Sequence, residues 1–152
     1  AFPVAQNAIQ TQMGTVMDIY PTVLSVAGVK APENHILDGS TLGKMIAGKK
    51  DKAHRDDFLM HFPHEHRGSY FTSYRKGDWK LIYYYNPEHP EAPYYKLFNL
   101  SVDPYEKNDV AKSELKKAKE LFGLMVKRLE MEKALYPIDK NENELRPFFI
   151  AK

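Results

Sequence analysis

The chain contains no cysteine among its 152 residues. Disulfide bonds and cysteine-ligated metal centres are therefore excluded, and cysteine usage says nothing about the redox compartment. No apolar run approaches the roughly 18 residues that a membrane-spanning helix needs, so no membrane partner is predicted. The formal net charge is only +2, which is too small an excess to indicate binding to nucleic acid.

Several catalytic signatures are also missing. The sequence has no G-x-S-x-G elbow, no glycine-rich phosphate loop and no H-E-x-x-H zinc motif. It has no carboxylate pair specific enough to indicate a glycosidase. Nothing in the sequence by itself therefore specifies a nucleophile. The first residue is Ala1 rather than methionine, and we expect a fragment or a processed product of a longer protein.

Aromatic residues are abundant, with ten Tyr, eight Phe and one Trp. Such side chains favour β-sheets and packed interfaces. Aromatic and β-branched runs bounded by turn residues predict four strands, at residues 58–62, 70–75, 79–85 and 94–100. A Lys-Gly-Asp turn predicts a tight hairpin between the second strand and the third.

The N-terminal part of the chain predicts a helical lead-in. Apolar residues recur at three and four positions between residues 13 and 27, as in an amphipathic helix. Pro21 is incompatible with the middle of a helix because it lacks an N–H group. An interruption before Asp18 or Tyr20 resolves this, since Pro21 then lies in a new first turn.

A second apolar stripe predicts a long helix over residues 113–134, capped by Ser113, that covers one face of the sheet. The predicted fold is therefore α+β: a small four-stranded antiparallel sheet packed by a long C-terminal helix, with a helical N-terminal lead-in.

The densest polar cluster, HFPHEHR, lies at the predicted end of the first strand and in the loop after it. Loops that follow strand ends often carry functional side chains. Imidazole and guanidinium groups donate hydrogen bonds to sulfate and carboxylate oxygens. One interpretation is therefore an anion or sugar subsite formed by His61, His64, His66 and Arg67.

Two other interpretations of this cluster stay open. His61, His64 and His66 together offer three nitrogens to a metal ion, although their spacing matches no standard zinc signature. The alternative without a ligand is a structural and surface cluster whose side chains bond within the protein. Upstream, His54, Arg55 and the two aspartates after them are interpreted as a charged turn that enters the strand.

Five aromatic residues on the predicted strands offer a possible platform for carbohydrate. Cross-strand packing explains them more simply. They are Tyr70, Tyr74, Trp79, Tyr83 and Tyr85.

Five segments together resemble the closing part of type I sulfatases of the alkaline phosphatase superfamily, and of bacterial arylsulfatases in particular. In chain order they read MDIYPTVLSVAGV, LDGSTLGKMIAG, DDFLMHFPH, YRKGDWKLIYYY and YKLFNLSVDPYEKNDVA. Their order and spacing make the resemblance specific. It implies that residues 1–55 end the large sulfatase domain. Residues 56–152 are then the C-terminal subdomain of an alkaline-phosphatase-like α/β fold.

Sulfatases of this kind hydrolyse sulfate esters with a formylglycine, made from Cys or Ser in a C/S-x-P-x-R motif, and a calcium ion. This chain lacks the motif, so the resemblance implies both groups for the parent enzyme and no cofactor for this fragment, which is expected to be inactive alone. It implies substrate contacts from His61, His64, His66 and Arg67 to a sulfated sugar or aryl sulfate. It further implies a periplasmic or secreted location, and a structural role for the Asp18 motif.

Two alternative functions remain at this point. One is the tail of a related phosphoesterase or phosphonate hydrolase, and the other is an autonomous carbohydrate-binding module. Under the sulfatase interpretation the partner is the missing N-terminal sulfatase domain. The surfaces that pack on that domain should then be apolar and exposed in this chain, so that it is able to self-associate.

Overall fold

The computed structural model describes residues 3–66, 69–87 and 92–150, and for Glu65, His66 and Ser69 it describes the backbone alone. The chain divides into two compact units, Ala1–Asp56 and Asp57–Lys152. The first unit contains the helical lead-in, and the second contains the sheet and the long helix. Within the described ranges, no helix is both long and apolar enough to cross a bilayer.

The first unit is built around a helix that begins later than predicted. A 3-10 turn, Val16–Asp18, leads into α1, Ile19–Ala27, and a short helix α2, Gly43–Ile46, follows. The predicted new first turn that contains Pro21 is confirmed, because α1 begins at Ile19, directly after Asp18. The prediction that residues 13–15 are helical was wrong. Thr15 is extended (φ −128°, ψ 167°), and its N–H and hydroxyl groups donate to the Asp18 carboxylate at 2.7 and 3.0 Å.

Gly39 allows the loop before α2 to pass directly against the start of α1. A Cβ atom at this position would lie 2.2 Å from the Met17 carbonyl oxygen. This is far inside van der Waals contact, so only glycine fits here.

The second unit contains the four predicted strands as one antiparallel sheet in the order β1-β2-β3-β4. The strands are β1, Asp57–His66; β2, Ser69–Lys76; β3, Trp79–Tyr84; and β4, Tyr95–Asn99. The hairpin between β2 and β3 is confirmed, with Lys76 paired to Trp79. The fold class predicted from the sequence is therefore confirmed.

The two edge strands differ in how their outer backbone groups are treated. Along β4, the Leu97 N–H donates to the Asp109 carboxylate at 3.0 Å, and the Leu97 carbonyl accepts the Val110 N–H at 2.9 Å. On the other edge, β1 contains Pro63, which has no N–H to offer. Neither edge therefore offers a further strand a complete row of free backbone donors and acceptors.

Helix α3, Leu115–Met131, covers one face of the sheet and closes the core. Its buried residues follow the predicted stripe: Ala118, Leu121, Phe122, Met125 and Leu129. The predicted Ser113 cap was wrong, because the Ser113 hydroxyl donates backwards to the Val110 carbonyl at 3.1 Å and the helix begins at Leu115. The aromatic side chains of Tyr74, Tyr83 and Tyr85 lie in this core, which confirms packing as their role.

The outer face of α1 is apolar and exposed, as expected. Ile19, Tyr20, Val23 and Val26 are each 48–57% exposed on α1, and Val16 is 80% exposed in the turn before it. A monomeric protein rarely leaves such a patch uncovered.

Candidate functional site

The end of β1 departs from the regular ladder at the predicted polar cluster. Phe62 pairs with Phe71 and His66 pairs with Ser69, but the register shifts between Phe62 and His66. Pro63 lies inside this interval, and proline within a sheet is confined to edge strands and bulges. Such irregularities re-aim side chains and are frequent beside active sites.

His61 is held by two hydrogen bonds within the second unit. Its Nδ1 atom lies 2.7 Å from the Thr72 hydroxyl, and its Nε2 atom lies 2.7 Å from the Leu135 carbonyl. The rings of Tyr85 and Tyr136 approach it edge-on, with centroids 6.0 and 6.1 Å away. Both ring nitrogens are therefore engaged, which leaves this imidazole no free lone pair for a metal ion.

His64 lies on the opposite side of the strand from His61. Its ring contacts the Phe62 ring at a centroid distance of 5.3 Å, and Phe62 stacks on Phe71 at 5.3 Å with an interplanar angle of 11°. The imidazole is exposed. The structure thus separates the two histidines. His61 lies on the face of the sheet that α3 covers, and His64 lies on the opposite face, which we call the open face.

The remaining predicted residues follow His64 in the sequence. His66 is the last residue of β1, and its side chain is outside the described set; Arg67 lies outside the described residues altogether. Among the side chains that are described, no group of three or more His, Asp or Glu is placed to hold a metal ion.

The open face of the sheet carries a concavity of about 490 Å³ on the same side as His64. Its lining combines apolar side chains with Ser73, Arg75 and an ion pair between Lys80 and Glu106, whose Nζ and Oε1 atoms are 2.6 Å apart. The apolar lining residues are Phe58, Met60, Phe71, Ile82, Tyr84 and Leu100. A second concavity, of about 520 Å³ in the first unit, has no titratable side chain in its lining.

The first unit contains a buried polar cluster that the sequence did not predict. The His54 side chain is only 3% exposed; its Nδ1 atom lies 2.8 Å from the Ser40 hydroxyl and its Nε2 atom 3.6 Å from the Asp18 carboxylate. The interpretation of His54 as part of a charged surface turn was therefore wrong. Its partners are 14 and 36 residues away in sequence, so no local pattern indicates the contact.

The family model described as N-sulphoglucosamine sulphohydrolase, C-terminal, matches residues 2–134, and the chain belongs to this family. The sequence resemblance to sulfatases is thereby confirmed.

Curated relatives with a similar sequence are sulfatases. The chain is 30% identical to an N-acetylglucosamine-6-O-sulfatase of Bacteroides thetaiotaomicron over 94% of its length, and 26% identical to human steryl-sulfatase over 72%. It spans 26% and 22% of the length of these two relatives. The phosphoesterase alternative is therefore not favoured, and neither is an autonomous binding module.

Solved structures that resemble this chain include a sulfatase and a protein with a bound sulfated sugar. A protein solved in complex with its substrate D-glucosamine-2-N,6-O-disulfate superimposes with a TM-score of 0.68 at 26% identity, covering 86% of this chain and 27% of that one. A 2-O GAG sulfatase superimposes with a TM-score of 0.59 at 22% identity, covering 76% of this chain and 24% of that one, and supports the fold alone.

Proposed function

We propose that this chain is the C-terminal part of a formylglycine-dependent sulfatase that hydrolyses a sulfated sugar or an aryl sulfate. The observation that carries the proposal is the 30% identity to an N-acetylglucosamine-6-O-sulfatase along 94% of the chain. The similarity to a structure that contains a disulfated glucosamine favours a sulfated amino sugar over an aryl sulfate.

In this proposal the end of β1 holds the part of the substrate that does not react. His64 is exposed on the open face, where an imidazole N–H is able to donate to a hydroxyl or sulfate oxygen. His66 and Arg67 follow it in the sequence and are proposed to bind the same substrate. Contacts to the remote part of a substrate orient the scissile ester and thereby lower the barrier.

His61 was predicted as a fourth substrate contact. Its two hydrogen bonds, to Thr72 and Leu135, favour a supporting role behind the open face instead.

The catalytic group belongs to the rest of the parent enzyme in this proposal. The chain has no cysteine and no Ser that begins an S-x-P-x-R motif, so its residues do not fit a formylglycine site. Its described side chains do not fit a calcium site either. No catalytic step is therefore assigned to this chain, and formylglycine and calcium are proposed for the N-terminal sulfatase domain, its partner. A periplasmic or secreted location is part of the same proposal.

The proposal is tested on the full-length parent protein. We expect intact mass and peptide mapping to find formylglycine, and we expect turnover of 6-O-sulfated N-acetylglucosamine but not of the corresponding phosphate ester. An unmodified Thr or Ser at the nucleophile position, with turnover of the phosphate ester alone, would contradict it.

Replacing His64 tests the substrate contact. We expect His64→Ala to raise KM for the sulfated sugar at least ten-fold, because a hydrogen bond to a charged group is worth roughly 1.5–3 kcal/mol. The matched control is His35→Ala, which removes an exposed histidine of the first unit and should leave KM unchanged. Equal KM values for wild type and His64→Ala would remove His64 from the site.

A further inference from the structure

A continuous chain of hydrogen bonds crosses the second unit behind the end of β1. It runs from the Tyr85 phenol to the Thr72 hydroxyl at 2.7 Å, then to His61 Nδ1 at 2.7 Å, and from His61 Nε2 to the Leu135 carbonyl at 2.7 Å. Thr72 is 0% exposed and Tyr85 is 5% exposed, so the inner part of this chain is shielded from water.

The direction of the chain follows from its one fixed acceptor. The Leu135 carbonyl accepts only, so the proton of a neutral imidazole lies on Nε2, and Nδ1 then accepts the Thr72 hydroxyl proton. The Thr72 oxygen in turn accepts the Tyr85 proton. Burial raises the pKa of Tyr85, which keeps the phenol protonated and available as this donor. Every donor is thus paired with an acceptor.

This chain of hydrogen bonds connects distant parts of the sequence at one point. Thr72 lies in the middle of β2, Tyr85 directly follows β3, and Leu135 follows α3 at a separation of 74 residues from His61. On β1 it includes His61, which pairs with Thr72. This pair and the next one, Phe62 with Phe71, are the last two before the register shifts. His64 lies within the shifted interval, three residues further on.

We propose that the Tyr85–Thr72–His61–Leu135 chain of hydrogen bonds positions His64 for substrate binding. The inference rests on the proposed function. The shifted interval around Pro63 lacks the regular ladder that would otherwise fix its backbone, so its position depends on the anchor just before it. His61 is therefore a positioning residue: it acts through the strand on His64 and does not itself touch the substrate.

The test compares two Thr72 variants of the full-length enzyme. Thr72→Val removes the hydroxyl while keeping a branched side chain, and Thr72→Ser keeps the hydroxyl. We expect Thr72→Val to raise KM for the sulfated sugar about five-fold, which is the size of one lost neutral hydrogen bond, and Thr72→Ser to stay near wild type. Turnover of a small aryl sulfate without a sugar should not change in either variant, since it makes no contact with His64.

A double-mutant cycle with His64→Ala separates positioning from general destabilisation. If the hydrogen bonds act through His64, Thr72→Val should have no further effect on KM once His64 is absent. Additive effects, or equal losses on the sugar and the aryl sulfate, would overturn the inference. His61→Gln is the second variant: the Gln amide N–H donates to the Leu135 carbonyl, and we expect KM between those of His61→Ala and wild type.

The outcomes for the two proposals are distinct. Sulfatase activity in wild type with an unchanged KM in Thr72→Val would refute the positioning role alone. A wild-type enzyme that turns over no sulfate ester would refute the proposed function, and this inference with it. Thermal unfolding and circular dichroism of each variant identify loss of folding. If Thr72→Val does not fold, the KM values of Thr72→Ser and His61→Gln decide whether the positioning role holds.

Discussion

At the scale of single residues, Asp18 shows how a buried carboxylate is kept ionised. Burial by itself raises its pKa, but hydrogen bonds from the Ser40 and Thr15 N–H groups, the Thr15 hydroxyl and the charge of His54 outweigh it and lower the pKa below 3.8. The residue is only 4% exposed. Asp18 therefore joins the start of α1 to the loop before α2 through hydrogen bonds that need the charged form.

This arrangement predicts a pH-dependent contribution to stability. Because the folded-state pKa is lowered, the contribution is fully present above the unfolded value of 3.8 and is lost as the pH falls through the lower folded-state value. We expect Asp18→Asn to reduce the free energy of unfolding by about 1–3 kcal/mol at pH 7.

Thermal unfolding of the full-length protein between pH 7 and pH 3 measures this effect. The difference in melting temperature between wild type and Asp18→Asn should be constant above the unfolded pKa and should narrow at the acidic end. Asp38→Asn is the control, an aspartate in the same unit, and should leave the melting temperature within error. A constant difference across the whole pH range would contradict the role of the charge.

The histidines show which residue-level features the sequence predicts. Alternation of side chains in the predicted strand 58–62 indicates the face of His61, but His64 lies beyond that strand, in the interval where the register shifts, so its face was not predictable in this way. What the sequence does not reveal is the identity of the partners. Thr72 and Leu135 bond to His61, and Ser40 bonds to His54, through tertiary contacts for which no alternation or spacing rule exists.

At the scale of elements, the positions of the helices and strands follow from the apolar pattern, while their ends depend on single contacts. All four strands and the buried stripe of α3 were predicted, because period-two and three-and-four spacing are strong signals. The start of α3 was not, since the Ser113 hydroxyl bonds to Val110 rather than to the first turn. The start of α1 likewise depends on Asp18.

Two glycines in different elements predict opposite effects of the same substitution. A Cβ at Gly39 would overlap the Met17 carbonyl oxygen, whereas a Cβ at Gly123, exposed in α3, meets nothing within 4 Å. We expect Gly39→Ala to lower the free energy of unfolding by at least about 1–3 kcal/mol through backbone strain. Gly123→Ala should raise it by about 0.5–1 kcal/mol, because alanine loses less entropy in a helix.

Denaturant unfolding of both variants measures these changes. Each variant is the control for the other, because both substitutions add one methyl group to the same chain. A neutral Gly39→Ala would show that the loop before α2 does not pass against α1 as described.

At the scale of the whole chain, the exposed face of α1 is the surface that most needs a partner. Ile19 and Val23 are 56% and 57% exposed on a helix in which Thr22 is the one buried residue. In the proposed function this surface meets the N-terminal sulfatase domain. The 152-residue chain alone leaves it in water.

We therefore expect the isolated chain to self-associate, and the double substitution Ile19→Glu and Val23→Glu to reduce this association by charge repulsion. Light scattering over a range of protein concentrations measures it. Val102→Glu is the control, because Val102 is 79% exposed in the loop after β4 and is not part of the α1 face. Association that persists in the double variant and falls in the control would place the contact elsewhere.

The backbone groups at the two edges of the sheet indicate whether the isolated chain assembles as fibrils or as small oligomers. Amyloid growth requires a strand edge that templates the next chain in register, with a repeat of about 4.7–4.8 Å along the fibril. Here the Asp109 carboxylate and the Val110 N–H occupy one edge at Leu97, and Pro63 interrupts the other. Natural sheets avoid edge-to-edge aggregation by such means. Assemblies of the isolated chain should accordingly be small oligomers that dissolve on dilution, and they should not bind thioflavin T.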